Sequence, residues 1–235
     1  LRVVRESVIS GGTAVPVDQP SYSLNILVQD GDDKTILAGQ VTCVKIRVEG
    51  VMRKYMLTAK HVCGDYGFSS NFSFGRFTDG KWYSVAFTSV NAKISIFPTK
   101  EDWLLIECDD RLYNEFSLTP ISISIPNGSM LVYIYNAHVF KVAGEDTSSV
   151  VKTVGRIGPK HPEHPSLLSH WASTAGGSSG AAVIQILGRK PVCVGVHSGG
   201  TRRDPNKVLD PETDEPNWFT HLGFLCNLQD GATTI

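Results

Sequence analysis

The chain lacks long apolar runs. Nothing in its 235 residues approaches the roughly 20 residues of a membrane-spanning helix, and no signal-peptide h-region follows the N-terminus. A soluble piece is therefore expected. Leu1 is not an initiator methionine, so we expect it to be cut from something longer. An excess of one charge sign is also missing. The formal net charge is -1, which gives no support to a strongly basic nucleic-acid surface. The five cysteines, Cys43, Cys63, Cys108, Cys193 and Cys226, are odd in number, widely spaced and free of any C-x-x-C pair. Neither a disulfide framework nor a structural zinc site is indicated, and buried thiols in a reducing compartment are expected. His161-Pro162-Glu163-His164-Pro165 reads as a proline-locked loop, and no metal is assigned to it. Long helical periodicity and internal repeats are absent as well.

What remains is a hydrophobic pattern of period two. Segments 22–29, 36–48, 51–58, 72–77, 82–88, 93–97 and 103–108 read as strands in the first half. After a polar break at 109–114 come 121–125, 130–135, 138–143, 150–154, 181–187 and 192–197. Glu49-Gly50 marks a turn. Many short strands divided by turn signals predict an all-β barrel or sandwich. The break splits the chain into comparable halves, 1–115 and 116–235, each the size of a small barrel. Residues 201–217, rich in charge and proline, are expected to form an exposed loop. Arg202, Arg203 and Lys207 are offset there by Asp204 and later acids, so RNA binding is left without support. Residues 230–235 are expected to be a flexible end.

Three stretches carry chemistry. Thr174-Ala175-Gly176-Gly177-Ser178-Ser179-Gly180 places a serine on a glycine-rich turn, where main-chain N–H groups of Gly177 and Ser179 can face a developing oxyanion. Thr58-Ala59-Lys60-His61-Val62 places a histidine at the end of an apolar strand. Asp102 leads into the apolar run Trp103-Leu104-Leu105-Ile106, which favours it over its neighbour Glu101. Alone, each has a bland reading: a plain loop, a packed histidine, a solvated cap. Together they supply a hydroxyl that attacks, an imidazole that takes its proton and a carboxylate that orients the imidazole.

In that order these motifs resemble the chymotrypsin-like serine proteases. Thr58-Ala59-Lys60-His61 is similar to T-A-x-H, Asp102-Trp103-Leu104-Leu105 to D-(I/L)-A-L, and Gly177-Ser178-Ser179-Gly180 to G-x-S-G. The resemblance spans roughly residues 20 to 225. It implies two six-stranded antiparallel β-barrels with the active site between them, His61 and Asp102 on the N-terminal barrel and Ser179 on the C-terminal one. Val194-Gly195-Val196-His197-Ser198-Gly199-Gly200 resembles the G-x-H-x-G segment of viral polyprotein-processing enzymes of this fold, the picornavirus, arterivirus and sobemovirus proteases. Thr174 completes a T-x-x-G-x-S-G pattern close to that of sobemoviruses. By this resemblance His197 and Thr174 bind a P1 Glu or Gln, and Ser198, Gly199 and Gly200 pair with the substrate backbone.

The interval from His61 to Asp102 is longer than is usual in sobemoviruses, and so is the hairpin at Gly188-Arg189-Lys190-Pro191 in comparison with many viral relatives. Ser178 stands where trypsin-type enzymes carry the aspartate that pairs with a freed N-terminus, so Ile9-Ser10-Gly11-Gly12 is read as an ordinary segment rather than an activation end. The resemblance implies no metal or organic cofactor. The implied partner is a polypeptide, the enzyme's own polyprotein, in the host cytoplasm, with any membrane attachment supplied by segments outside this chain. Two other readings stand beside it. One is a bacterial or organellar protease of the same fold, of glutamyl-endopeptidase or quality-control type. The other is a non-catalytic capsid or RNA-binding module.

Overall fold

The computed structural model describes residues 8–9, 13–30, 34–48, 50–68, 71–79, 81–96, 101–142, 145–174, 176–200, 208–209, 217–221 and 233–234. In the first half an antiparallel sheet runs Lys81–Ala86, Phe72–Thr78, Ser23–Asp30, Lys34–Val48, Val51–Thr58, Leu104–Glu107, Lys93–Ile96. Alternation drives it. In Val51–Thr58 the first four residues are exposed, and the strand becomes buried from Tyr55 onward. Gly50, with φ of 81°, makes the turn that brings Val48 opposite Val51.

The second half closes on itself. Leu131–Val142, Glu145–Lys160, Leu167–His170, Asn217–His221, Lys190–Gly200 and Ala182–Leu187 pair antiparallel in that circular order, so the barrel has no free edge. Ala182–Leu187 is buried on both faces over its first half. Ala182 and Ile184 point into the larger core with Leu24, Met56 and Leu105, while Val183 points into the barrel's own core with Val132, Ile134 and Phe219. Between the halves, Ile121–Ile123 runs parallel to both Lys34–Val48 and Lys190–Gly200.

Several elements differ from the sequence reading. The two predicted strands 130–135 and 138–143 are one, Leu131–Val142, and 150–154 is the middle of Glu145–Lys160. The segment 82–88 is a strand to Ala86 followed by a 3-10 turn, Phe87–Val90. The polar break contains a short helix, Asp110–Glu115, whose N-cap Asp109 accepts a hydrogen bond from Arg111 N. Thr13–Val17 is an added strand against Glu145–Lys160. In the expected loop 201–217, Val208–Leu209 pairs with Val8–Ile9, and Asn217 opens a buried strand. Residues 201–207 and 210–216 lie outside the described residues, as do 10–12 and Cys226. Of the expected flexible end, Thr233–Thr234 pairs with Lys93–Ile96, and the rest lies outside the described residues.

Candidate active site

The pairing of Val51–Thr58 with Leu104–Glu107 sets Thr58 opposite Leu104. This register puts the residues after Thr58 and those before Leu104 at the same end of the sheet. After Thr58 the chain turns at Ala59, extended with ψ of 141°, into the one-turn helix Lys60–Gly64. Val62 and Cys63 are buried by that helix, and His61 is left half-buried at its mouth. Asp102 lies in the bend before Leu104–Glu107.

Asp102 holds His61 at two points. Oδ2 lies 2.7 Å from His61 Nδ1, and Oδ1 accepts from the His61 main-chain N–H at 3.0 Å. The ring is thereby oriented with Nε2 turned away from the carboxylate. Burial pushes the Asp102 carboxyl up. The His61 ring and N–H outweigh this, with the Ser198 hydroxyl also lowering it, and the net direction is down. The neighbouring carboxylate is committed elsewhere, since Glu101 Oε2 accepts from Trp103 Nε1 at 2.9 Å.

The serine turn sits on the other half. Gly177 and Gly180 have φ of 88° and 84°, a left-handed backbone that L side chains rarely adopt. A Cβ on Gly180 would come 2.2 Å from the Gln40 carbonyl oxygen and 2.3 Å from Thr58 Oγ1, so only glycine fits there. Both halves grip the turn through main-chain atoms. Gln40 N donates to Ser179 O at 2.8 Å, and Gly180 N donates to His197 O at 2.9 Å. Behind it, the buried Ser178 hydroxyl donates to Asn136 Oδ1 at 2.6 Å.

His197 is fully buried, with Nδ1 3.1 Å from Nε2 of the equally buried His170. Burial, then the proximity of His197, holds the His170 imidazole well below its ordinary range, so it is neutral at neutral pH. Thr174 is buried, and its hydroxyl has no hydrogen-bond partner among the described residues. Ser198, Gly199 and Gly200 continue the Lys190–Gly200 strand past its last pair with Ala182–Leu187, Ala182 with Val196. On the other side they meet Asn217–His221.

The structure thus brings His61 and Asp102 together and ties the Ser179 turn to Gln40 and His197. Thr174 joins none of these bonded pairs. Sequence reading missed His170, Asn136 and Asn217. Asn217 lies in register with both His170 and Gly200, and its Nδ2 donates to Ala172 O at 2.9 Å. No periodic signal marked His170, because Leu167-Leu168-Ser169-His170 does not alternate and follows a proline-rich loop. The thiols of Cys43, Cys63 and Cys193 are buried, and burial pushes each up to about 12. That leaves them unreactive near neutral pH. Among the described residues no group of three His, Cys, Asp or Glu side chains is placed to hold a metal ion.

A closed antiparallel barrel joined to a second curled antiparallel sheet, with His and Asp on one half and the Gly-x-Ser-Gly turn on the other, defines the chymotrypsin-like fold. Among solved structures, the serine protease domain of the Sesbania mosaic virus polyprotein is similar at a TM-score of 0.60 and 19% identity, covering 92% of this chain and 99% of that one. The tobacco vein mottling virus protease is similar at 0.53 and 16%, over 93% of this chain and 89% of its own. A catalytically inactive tobacco etch virus protease complexed with substrate is similar at 0.50 and 15%, over 86% and 78%. At these identities the likeness is one of fold, and the fold is the one carried by viral chymotrypsin-like proteases. No family model and no curated protein matches the sequence.

Proposed function

We propose that this chain is a serine endopeptidase that processes a viral polyprotein after Glu or Gln. The observation that carries the reading is the two-point grip of Asp102 on His61, at 2.7 and 3.0 Å, beside which stands a serine turn that both halves of the molecule fix through main-chain bonds. Ser179 Oγ attacks the scissile carbonyl. His61 takes the proton and later delivers it to the leaving amine. Asp102 stays ionised, holds the reactive tautomer and stabilises the imidazolium. The N–H groups of Gly177 and Ser179 bind the oxyanion. Among the solved structures of this fold is a tobacco etch virus protease bound to substrate, which supports a polypeptide as partner. We place the enzyme in the host cytoplasm, acting on its own polyprotein.

The P1 side chain is bound by Thr174 and His197, while Ser198, Gly199 and Gly200 add the substrate to the sheet as a strand. Thr174 supports the pocket, because a buried hydroxyl without a partner is expensive unless a ligand completes it. The contact from neutral His170 to Nδ1 of His197 supports it as well, because it constrains which ring nitrogen of His197 can carry a proton toward substrate.

The test combines three enzymes. Wild type should hydrolyse a peptide library with preference for Glu or Gln at P1 and react with a fluorophosphonate. Ser179→Ala should keep the circular-dichroism spectrum and lose both reactions. His197→Ala should keep probe reactivity and lose the preference. Unchanged turnover in Ser179→Ala rejects the nucleophile, and a wild type indifferent to P1 rejects the pocket.

A further inference from the structure

The serine turn is braced from behind by a buried polar network that the catalytic residues do not use. Asn136 lies on Leu131–Val142, directly across from Val151 of Glu145–Lys160. Its side chain is buried, as are those of Thr153 and Ser178. Asn136 Oδ1 accepts from Ser178 Oγ at 2.6 Å. On the other side Nδ2 donates to Thr153 Oγ1 at 3.2 Å and to the carbonyls of Val151 and Ser173, each at 3.4 Å. Thr153 Oγ1 in turn donates to Ser173 O at 2.7 Å. The carbonyl acceptors fix which way the amide points, so Oδ1 has to face Ser178.

The network therefore holds the chain at Ser173 and again at Ser178, the two ends of the segment that carries Thr174 and Gly177. Ser178 lies between the two residues whose N–H groups would bind the oxyanion. Gly177, at φ of 88°, has no side chain to hold its own conformation. Without a fixed neighbour, the peptide on either side of Ser178 can rotate and turn an N–H away from the oxyanion.

We propose that Asn136, through the Ser178 hydroxyl, is the positioning residue that keeps the oxyanion N–H groups aimed in the resting enzyme. It does internally what an inserted N-terminal ammonium does in trypsin-type enzymes. This rests on the serine-protease reading above and adds a residue to it. Asn136 touches neither substrate nor reacting atoms. Its loss should lower kcat, because the transition state is the species that needs the aligned N–H groups, and should leave KM nearly unchanged.

The experiment is a double-mutant cycle on the full chain with Asn136→Ala, Ser178→Ala and both together. Fluorophosphonate titration to its endpoint counts intact sites, so kcat is read per competent molecule. Each single variant should lose on the order of 100-fold in kcat. The double variant should lose no more than the worse single one, because the two side chains act through one bond. The rate of phosphonylation should fall in parallel with kcat. A merely structural role lowers the titrated fraction and leaves kcat per site intact, and that outcome overturns the proposal. If Asn136→Ala does not fold, Ser178→Ala decides alone, since it removes one hydroxyl and leaves the other amide bonds in place. Wild-type-like kcat in folded Ser178→Ala overturns the positioning role while the protease reading stands. A wild type that neither cleaves peptide nor reacts with the probe overturns both.

Discussion

Asp102 makes two contacts with His61, and they do different work. The ring contact selects the tautomer, and the main-chain contact fixes where the short helix begins. Asp102→Asn keeps the shape and removes the charge. Its kcat should fall on the order of 10⁴-fold with little change in unfolding midpoint, checked by steady-state kinetics beside a urea titration. A second residue-scale prediction concerns His170. Its folded pKa lies well below the ordinary value, so between that low value and ~6.5 the unfolded chain binds a proton that the native one refuses. Stability from this group is complete above ~6.5 and declines as pH falls, with a slope of up to ~1.4 kcal/mol per pH unit. His170→Gln should flatten that acid limb, measured as urea midpoints from pH 7 to 5. Of the residues in the proposed site, those with a motif stood out in the chain: His61, Asp102, Ser179 and His197. Asn136 and His170 could not, because each matters through a neighbour 42 or 27 positions away, and no local pattern reports such a pairing.

At the scale of elements, the serine turn is held by sterics as much as by hydrogen bonds. Gly50 and Gly180 have nearly the same φ, 81° and 84°, but a Cβ on Gly50 would meet nothing within 4 Å among the described residues. Gly50→Ala should therefore cost only the left-handed backbone penalty, about 1–2 kcal/mol. Gly180→Ala adds a clash with Gln40 and Thr58 and should cost clearly more and abolish activity. Paired chemical denaturation curves isolate the clash as the difference. The Gly50 turn was legible because alternating apolar strands flank it. Strands Leu167–His170 and Asn217–His221 were not, since four or five residues next to proline-rich segments are too short to show a period. Helix Lys60–Gly64 escaped for the same reason: one turn of helix leaves no periodicity to read.

At the scale of the whole molecule, the two halves are joined by more than a linker. Ser122 is in register with Lys45 on one side and Val192 on the other. The larger core also takes Ala182, Ile184, Cys193 and Val196 from the second half. We expect one cooperative unfolding transition, seen alike by circular dichroism and by the fluorescence of Trp82 and Trp103 in one half and Trp171 and Trp218 in the other. Ser122→Pro places a residue without an N–H in the shared strand. It should lower the common midpoint and leave the transition single; two separated transitions would show halves that fold independently. The all-β class followed from alternation, but the shared core did not. Period-two patterning says which residues are buried without saying whose side chains they are buried against.

Gln40 shows what that sharing means for evolution under drug pressure. With its amide turned to satisfy both neighbours, it donates to Tyr135 O at 2.8 Å and accepts from Ala137 N at 3.0 Å, while its main-chain N–H holds the Ser179 carbonyl. Beside it, a Cβ on Gly39 would fall 2.6 Å from that same carbonyl. On the proposed function, a compound that parts residues 39–40 from the serine turn should disarm Ser179 without occupying the proposed P1 pocket. Resistance to it would be hard to acquire. The hydrogen bond it breaks is made by main-chain atoms, which point mutation does not remove, and the adjoining glycine admits no larger residue, which leaves Val62 as the side chain free to change.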